Sequence, residues 1–350
     1  YLDRVIRSIE VAASGSLFDY ELVIVDDCSS RELSIDSCEV EHQIIRLKSR
    51  SGVSKTRNAG AKAAKYPWIL FVDSDVSIAT ESLKFCEGHM VDGNLDGLCG
   101  IYEPKIEGVN FLATVLSTYA SFNWESIRPN EQVHPNPIMW SQFFLIRKSS
   151  LEAVGGFDVS IERPCLDDTE LSIRLSQLGA RLLVDKRIKN HHLKNYSIGM
   201  FLVNYFIKAL AWIDLSRRYP HFTYEGYENA KRKLSFMGSI VMVATAIASV
   251  FVGAFVPVSI LISLFVVALV LFSYGNTDYI KYVVQRSGVL FVFTSLPAIL
   301  LINVLTLIGI SVGVLRLTKR FLNNVAKCLR IGKNYLFKPH GHIESLTLFV

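Results

Sequence analysis

Trp68-Ile69-Leu70-Phe71-Val72-Asp73-Ser74-Asp75 is a short apolar run that ends in two acids. The run is too short for a stable helix and too uniformly apolar for a half-exposed strand. It reads as a strand buried on both faces, with carboxylates at its carboxyl end. Glu21-Leu22-Val23-Ile24-Val25-Asp26 has the same form and continues into Asp27-Cys28-Ser29-Ser30. Between these runs, 42–47 reads as a second strand. Ser51-Gly52-Val53-Ser54 opens a helix over 54–65 that Pro67 stops. Helices are expected at 3–13 and 80–90, and a strand at 97–102. The order β-α-β-α-β predicts an α/β sheet with helices on both faces. Ligands of such sheets bind beyond the carboxyl ends of the strands, where both acidic clusters lie.

Downstream, Pro129, Pro135 and Pro137 mark 108–140 as a mixed stretch with a long loop. Gln142 to Arg147 reads as a strand. Leu151 to Phe157 reads as a helix end and a Gly155-Gly156 turn. Asp167 to Leu178 reads as an amphipathic helix stopped by Gly179, and Arg181 to Asp185 as a last strand. Residues 197–218 form an aromatic, basic, amphipathic helix. It either lies in a membrane interface or packs on a core.

The apolar content is concentrated in the last third. Half of the 350 residues are hydrophobic and the mean hydropathy is +0.31, yet 238–273 and 288–315 contain no Asp, Glu, Lys or Arg. A 36-residue charge-free run would be about 54 Å long as one helix, against roughly 30 Å of hydrocarbon. It reads as two spans hinged near Pro257, with 288–315 a third span interrupted by Pro297. The pattern excludes a fully soluble protein, a disordered chain and a pure multi-span transporter. Lys231-Arg232-Lys233 ahead of the first span places the large domain in the cytoplasm. The sequence leaves open the number of crossings and the side of the basic tail. Residues 1–237 are slightly acidic, which argues against nucleic acid as a partner. The cysteines at 28, 38, 86, 99, 165 and 328 lack zinc spacing and read as free thiols in a reducing compartment. Tyr1-Leu2-Asp3-Arg4 does not read as a signal peptide.

Three blocks carry candidate chemistry. Asp73 and Asp75 can share a divalent cation with a diphosphate, because hard cations take oxygen ligands and keep positions open. Asp26 and Asp27 can accept hydrogen bonds from a base imide or a ribose hydroxyl; an Asx turn or a helix cap is the plainer reading. Gly52-Val53-Ser54-Lys55-Thr56-Arg57-Asn58-Ala59-Gly60 starts a helix at which Lys55 or Arg57 could meet phosphate. It is not a P-loop, since GxxxxGK[ST] is absent.

In this order and spacing, the blocks resemble the family 2 glycosyltransferases of GT-A fold. Met139-Trp140-Ser141-Gln142-Phe143-Phe144-Leu145-Ile146-Arg147 is similar to the family's acceptor-side strand. Gly155-Gly156-Phe157-Asp158 is similar to its GGFD turn, and Leu166-Asp167-Asp168-Thr169-Glu170-Leu171-Ser172-Ile173-Arg174-Leu175 to its (E)D-x-x-L-x-x-R-L segment. The resemblance implies a GT-A, Rossmann-like catalytic domain over 1–195 and an interfacial linker over 196–237. A transmembrane region over 238–315 and a basic cytoplasmic tail over 316–350 would follow. Asp26 and Asp27 would contact the nucleoside, with Arg57 and Asp73 also on the donor. Asp73, Asp75 and His192 would hold Mn²⁺ or Mg²⁺, with Asp75 the direct ligand. Asp168 would be the catalytic base. The expected partners are a nucleotide-sugar, a UDP-sugar first, a lipid-linked or glycan acceptor, and the membrane. The family's QxxRW motif of processive synthases is absent, which implies single-sugar transfer. A strand expected ahead of Leu2 is not in the sequence, so the chain reads as a fragment. Two other activities stay open: a polyprenyl-phosphate sugar synthase, and a catalytically silent nucleotide- or glycan-binding anchor.

Overall fold

The computed structural model describes residues 1–335, apart from 32, 34, 36, 37, 39, 105–107, 127, 129, 136, 137, 162–165, 223–228 and 252–255. The side chains of 134, 135 and 320–335 are also outside the description. Pro129, Pro137, Cys165, the Cys328 side chain and the end of the basic tail therefore lie outside the described residues.

Helix α1 (Leu2–Ala13) buries Val5, Ile6, Ala12 and Ala13 along one stripe. Strands β1 (Leu22–Asp26) and β2 (His42–Arg46) pair in parallel, and α2 (Val53–Ala63) follows. The chain continues as β3 (Trp68–Val72), β4 (Val76–Ile78), α3 (Ser82–Asp92), β5 (Gly97–Tyr102) and α4 (Phe111–Glu125). Then come β6 (Val133–Pro135), β7 (Phe143–Arg147), α5 (Lys148–Ala153), α6 (Asp167–Gln177) and β8 (Leu182–His192). The main sheet runs β3-β7-β5-β8-β4, with β6 on β8. Side chains alternate across β7. Phe143 and Leu145 face α1 and α3, through Ala12 and Cys86. Phe144 and Ile146 face α2, α4, α5 and α6, through Ala61, Trp124, Leu151 and Leu171. Both faces are thus covered, which is why these strands read as unbroken apolar runs.

The structure bears out the α/β reading and shows that the main sheet is mixed. Only β1–β2 and β5–β8 are parallel; β3–β7, β5–β7 and β4–β8 are antiparallel. Strand β7 arrives after α4 and β6 rather than through a single crossover helix, and so runs against its neighbours. Two corrections concern length. The stretch expected as mixed loop contains α4, capped by Asn110 Oδ1, which accepts from Ala113 N at 3.0 Å. The last strand continues to His192 because β4 pairs with its far end.

Five helices complete the chain: α7 (Ile198–Arg218), α8 (Ala230–Phe251), α9 (Val258–Gly275), α10 (Thr277–Ser287) and α11 (Val289–Tyr335). Among the described residues, four helices are long and apolar enough to cross a membrane: Ile198–Arg218, Ala230–Phe251, Val258–Gly275 and Val289–Lys319. The longer charge-free run divides at Pro257, which caps α9. Pro297 does not interrupt the shorter one; it sits inside α11. Helices α8 and α9 pack backbone to backbone, since a Cβ on Gly238 would meet Phe272 N at 2.6 Å. Beside that contact, Asn276 Nδ2 donates to Ser235 Oγ at 2.8 Å and Asn303 Nδ2 to Ser239 Oγ at 2.9 Å.

Helix α7 stays with the α/β domain at both ends. At its start, Asn110 Nδ2 donates to Tyr196 O at 2.8 Å. At its end, Arg218 Nη1 lies 2.7 Å from Asp158 Oδ2, and Tyr219 Oη donates to Glu170 Oε1 at 2.7 Å. Its 21 residues span about 31 Å between these anchors. Helix α11 runs beside α7 in the same direction, Gly309 against Ala209 and Gly313 against Ile213. Helix α10 lies on α4, where Tyr282 Oη donates to Ser121 Oγ at 2.9 Å and Arg286 pairs with Glu125 at 2.5 Å.

The turn at 155–156 gives a direct check on this packing. Both glycines have positive φ, +75° and +76°. Nothing lies within 4 Å of a Cβ at Gly155, whereas one at Gly156 would meet Asn58 Oδ1 at 2.5 Å. Asn58 in turn clamps both backbone groups of Phe157. Gly155→Ala should cost about 1 kcal/mol from the left-handed backbone alone. Gly156→Ala should cost about 3 kcal/mol, because overpacking adds to the strain. Thermal unfolding of the two variants in detergent would show equal losses if this packing is wrong.

Candidate active site

The acids at the strand ends are placed by the sheet itself. A turn with Val76 N donating to Asp73 O at 3.0 Å carries the chain from β3 into β4. Strand β4 pairs antiparallel with β8 so that Val76 stands opposite His192. This register brings Asp75 beside His192: Oδ2 and Nε2 are 3.6 Å apart, with Lys194 Nζ at 3.9 Å. Burial pushes the Asp75 carboxyl up, but the His192 hydrogen bond and the charges of His192 and Lys194 outweigh it. The net effect holds Asp75 below the usual carboxylate range.

Arg57 joins this end to α6. It sits in the second turn of α2, with its side chain 12% exposed. Its Nη2 donates to Asp73 Oδ1 at 2.6 Å, and its Nη1 pairs with Asp167 Oδ2. The sequence reading set Arg57 toward a phosphate; the structure turns it inward onto two carboxylates. Burial, and then the neighbouring Asp168 charge, push the Asp167 carboxyl up to about 6 against the pull of Arg57.

Asp168 is one position further round the same helix and takes different hydrogen-bond partners, although its charge still acts on Arg57. Its Oδ2 accepts from Ser141 N at 3.2 Å and Ser141 Oγ at 3.3 Å, and its Oδ1 from Thr169 N at 2.7 Å. The sequence reading quoted Ser141 but gave it no role. It also gave none to Tyr102, Trp140 or Lys194.

Asp26 and Asp27 stand apart from this group. Hydrogen bonds from Ser29 hold the Asp26 carboxyl below its ordinary range, and Arg46 lies 3.1 Å away. Asp27 accepts from Ser51 N at 2.6 Å and Gly52 N at 3.0 Å, so it fixes the loop that opens α2. Of the expected site residues, Asp73, Asp75, Asp168, Arg57 and His192 gather around the ends of β3 and β8. Asp26 and Asp27 meet the group only through α2.

The donor set suits an open metal site, not a closed one. Among the described residues, no three His, Cys, Asp or Glu side chains cluster closely enough to enclose an ion. Asp75 and His192 supply one oxygen and one nitrogen from neighbouring strands, while Asp73 engages Arg57. A two-ligand site leaves positions for water or diphosphate oxygens, which fits Mn²⁺ or Mg²⁺ better than a structural metal.

Comparison with known proteins bears on the fold and the family that the chain resembles. Residues 1–155 match the family model "Glycosyl transferase family 2". Polypeptide N-acetylgalactosaminyltransferase 13 of Rattus norvegicus is 25% identical over 185 residues, which covers 46% of this chain and 33% of that protein. An uncharacterized glycosyltransferase of Haemophilus influenzae is 27% identical over 163 residues, covering 45% of this chain and 53% of that protein. The chain thus spans between a third and about half the length of these curated relatives. A mannosyltransferase of Pyrobaculum calidifontis, solved in complex with GDP-Man and Mn²⁺, superposes with a TM-score of 0.51 at 10% identity. The match covers 90% of this chain and 84% of that one. Residues 1–155 are thus similar to family 2 glycosyltransferases, the chain shares the GT-A fold, and helices apolar enough to span a membrane follow.

Asp167 makes the site's pH dependence predictable. Its folded pKa of about 6 lies above the unfolded value of 3.8, so the folded chain holds more protons between these pH values. Its contribution is fully present below about pH 4 and is lost as pH rises through about 6. The thermal midpoint should therefore carry a downward component from about pH 4 to about pH 6 that Asp167→Asn removes. An unchanged pH profile in the variant would refute the assignment.

Proposed function

We propose that the chain is a membrane-anchored inverting glycosyltransferase whose catalytic domain faces the cytoplasm. It moves a sugar from a nucleotide-diphosphate sugar, a UDP-sugar first, to a hydroxyl of a lipid-linked glycan. The observation that carries this reading is the convergence of two unlike groups at one end of the sheet. One is the Asp75–His192 pair. The other is Asp168, whose two oxygens are fixed by Ser141 and Thr169.

In this reading Asp168 accepts the proton of the acceptor hydroxyl as the bond to the anomeric carbon forms. Ser141 and Thr169 orient the carboxylate for that step. Asp75 and His192, with Asp73 behind them, would hold Mn²⁺ or Mg²⁺. When bound, the cation offsets charge on the departing diphosphate. Arg57 keeps Asp73 and Asp167 in register, so the donor and acceptor sides hold a fixed geometry. Asp27 shapes the loop at 51–52, and Asp26 stands at the nucleoside end. One base on one side and one leaving group on the other suit a single displacement with inversion.

The membrane part of the proposal divides the chain at 195, 237 and 315. Helix α7, bonded to the α/β domain at both ends and packed along α11, would join the catalytic domain to the membrane helices. The α8–α9 hairpin enters the bilayer, preceded by Lys231-Arg232-Lys233 on the cytoplasmic side. A lipid-linked acceptor held at that surface would meet Asp168 from the side of α6 and α7.

Binding of UDP, GDP, dTDP and CDP, with and without Mn²⁺, tests the donor side. Metal-dependent binding of one nucleotide is expected, with loss in Asp75→Ala. Asp168→Asn should retain that binding and lose about 10²–10⁴-fold in transfer to a hydroxyl acceptor. Full activity of Asp168→Asn would favour a polyprenyl-phosphate acceptor, which needs no base. Binding without turnover in the unaltered chain would favour a silent anchor.

A further inference from the structure

A row of aromatic rings connects the two halves of this site. Trp140 immediately precedes Ser141, which holds Asp168. The Tyr102 ring, at the end of β5, lies 5.8 Å from that of Trp140 and 5.3 Å from that of His192. The His192 ring, which lies against Asp75, is in turn 5.8 Å from that of Tyr196. Trp140 is braced from behind by buried Trp124, edge to face, at 4.8 Å. Tyr102 and Trp140 are both only partly covered, unlike the core rings of Phe143, Phe144 and Phe157. Tyr102 therefore bridges Trp140, next to the residue that holds Asp168, and His192, which lies beside Asp75.

Aromatic side chains in the core are covered by apolar neighbours. Here Trp140 packs one side against the core, yet both rings stay partly open beside the acids of the site. A pyranose ring has an apolar C–H face as well as polar edges, and an aromatic face complements it. In a single displacement, the transferred ring must lie between the leaving diphosphate and the attacking hydroxyl. On the proposed assignments, that space runs from Asp75 to Asp168, over Tyr102 and Trp140. We infer that Tyr102 and Trp140 form the platform on which the transferred donor sugar stacks, and that they contribute to sugar specificity. The inference rests on the proposed glycosyltransferase reading and assigns it a substrate subsite.

The test separates the sugar from the nucleotide. The full chain in detergent is titrated with UDP and UDP-glucose, and with GDP and GDP-mannose, each with Mn²⁺. Tyr102→Leu should weaken binding of the sugar nucleotide that the unaltered chain prefers by about tenfold. Binding of the matching bare diphosphate should change by less than about twofold. Tyr102→Phe, which keeps the ring, should behave like the unaltered chain. Trp140→Leu should repeat the Tyr102→Leu pattern and serves if that variant does not fold. Equal weakening of diphosphate and sugar nucleotide would overturn the platform. An effect confined to the KM of the acceptor would overturn it too, by moving the rings to the acceptor side. If the unaltered chain binds none of the four nucleotides, the glycosyltransferase reading itself fails, before any variant is compared.

Discussion

Four carboxylates at one end of one sheet repel each other, and the guanidinium of Arg57 is the interaction that lets them share the space. Asp73 and Asp167 come from different elements, β3 and α6, and each would be costly to leave unpaired where Arg57 sits, 12% exposed. A planar cation with two terminal nitrogens can hold both at once; a lysine could hold only one well. The remaining pair is handled differently. Asp75 has His192 and Lys194 at its edge, and Asp168 has hydrogen-bond donors instead of a cation. The proposed roles of a metal-binding carboxylate and a proton acceptor would require this difference, since a fixed cation on Asp168 would oppose proton uptake.

The same economy of placement explains the helices that flank the site. Helix α4 packs on the sheet through Trp124 and on α10 through Phe122, whose ring is 5.5 Å from that of Tyr282. It is therefore covered on two sides. Its two apolar neighbours join the α/β domain to the membrane-side cluster of Phe201, Phe272, Tyr279 and Val292. Arg286 pairs with Glu125 between α10 and α4, and Lys231 with Asp278 ties α8 to α10 within the helical part. The domain is thus held against its helices along one long contact and is not hung from a linker.

What the sequence made legible follows from this arrangement. Strands such as Trp68–Val72 were readable because both faces are buried. Helix α2 was readable because Lys55 and Lys62 keep one face wet, and α6, although mostly buried, because of its helical spacing and the stop at Gly179. Helix α4 was hidden, since a helix covered on two sides, with small polar residues among the apolar ones, shows no single apolar stripe. Strand β4 was hidden because it has only three residues, and β8 was cut short because Lys186, Arg187, Lys189 and Asn190 look like loop. Asp185 is buried with partners His89 and Arg187, and this polar stretch becomes strand only through β4 and β5. In the site, the acids were legible from their positions after apolar runs. Arg57 was legible as a charge but not as a bridge, because its partner Asp167 is more than a hundred residues away. Tyr102 carried no signal at all, since nothing local distinguishes a strand-end tyrosine.

Backbone strain marks the same places independently. Among the described residues, three non-glycine positions have positive φ: Cys28, Arg128 and Leu166. Two of them directly adjoin an acid pair, Cys28 after Asp26-Asp27 and Leu166 before Asp167-Asp168. A left-handed residue costs about 1–2 kcal/mol, so its surroundings must impose it. At Leu166 the consequence is visible. The reversal aims the first turn of α6 into the site, and successive helical residues then diverge by about 100°. Asp167 meets Arg57, and Asp168 meets Ser141. Acids in a first helical turn are favoured by the helix dipole, which helps to offset the strain. One strained residue thus gives two adjacent carboxylates opposite tasks: one is locked into the frame, and the other is held ready by donors that do not neutralise it.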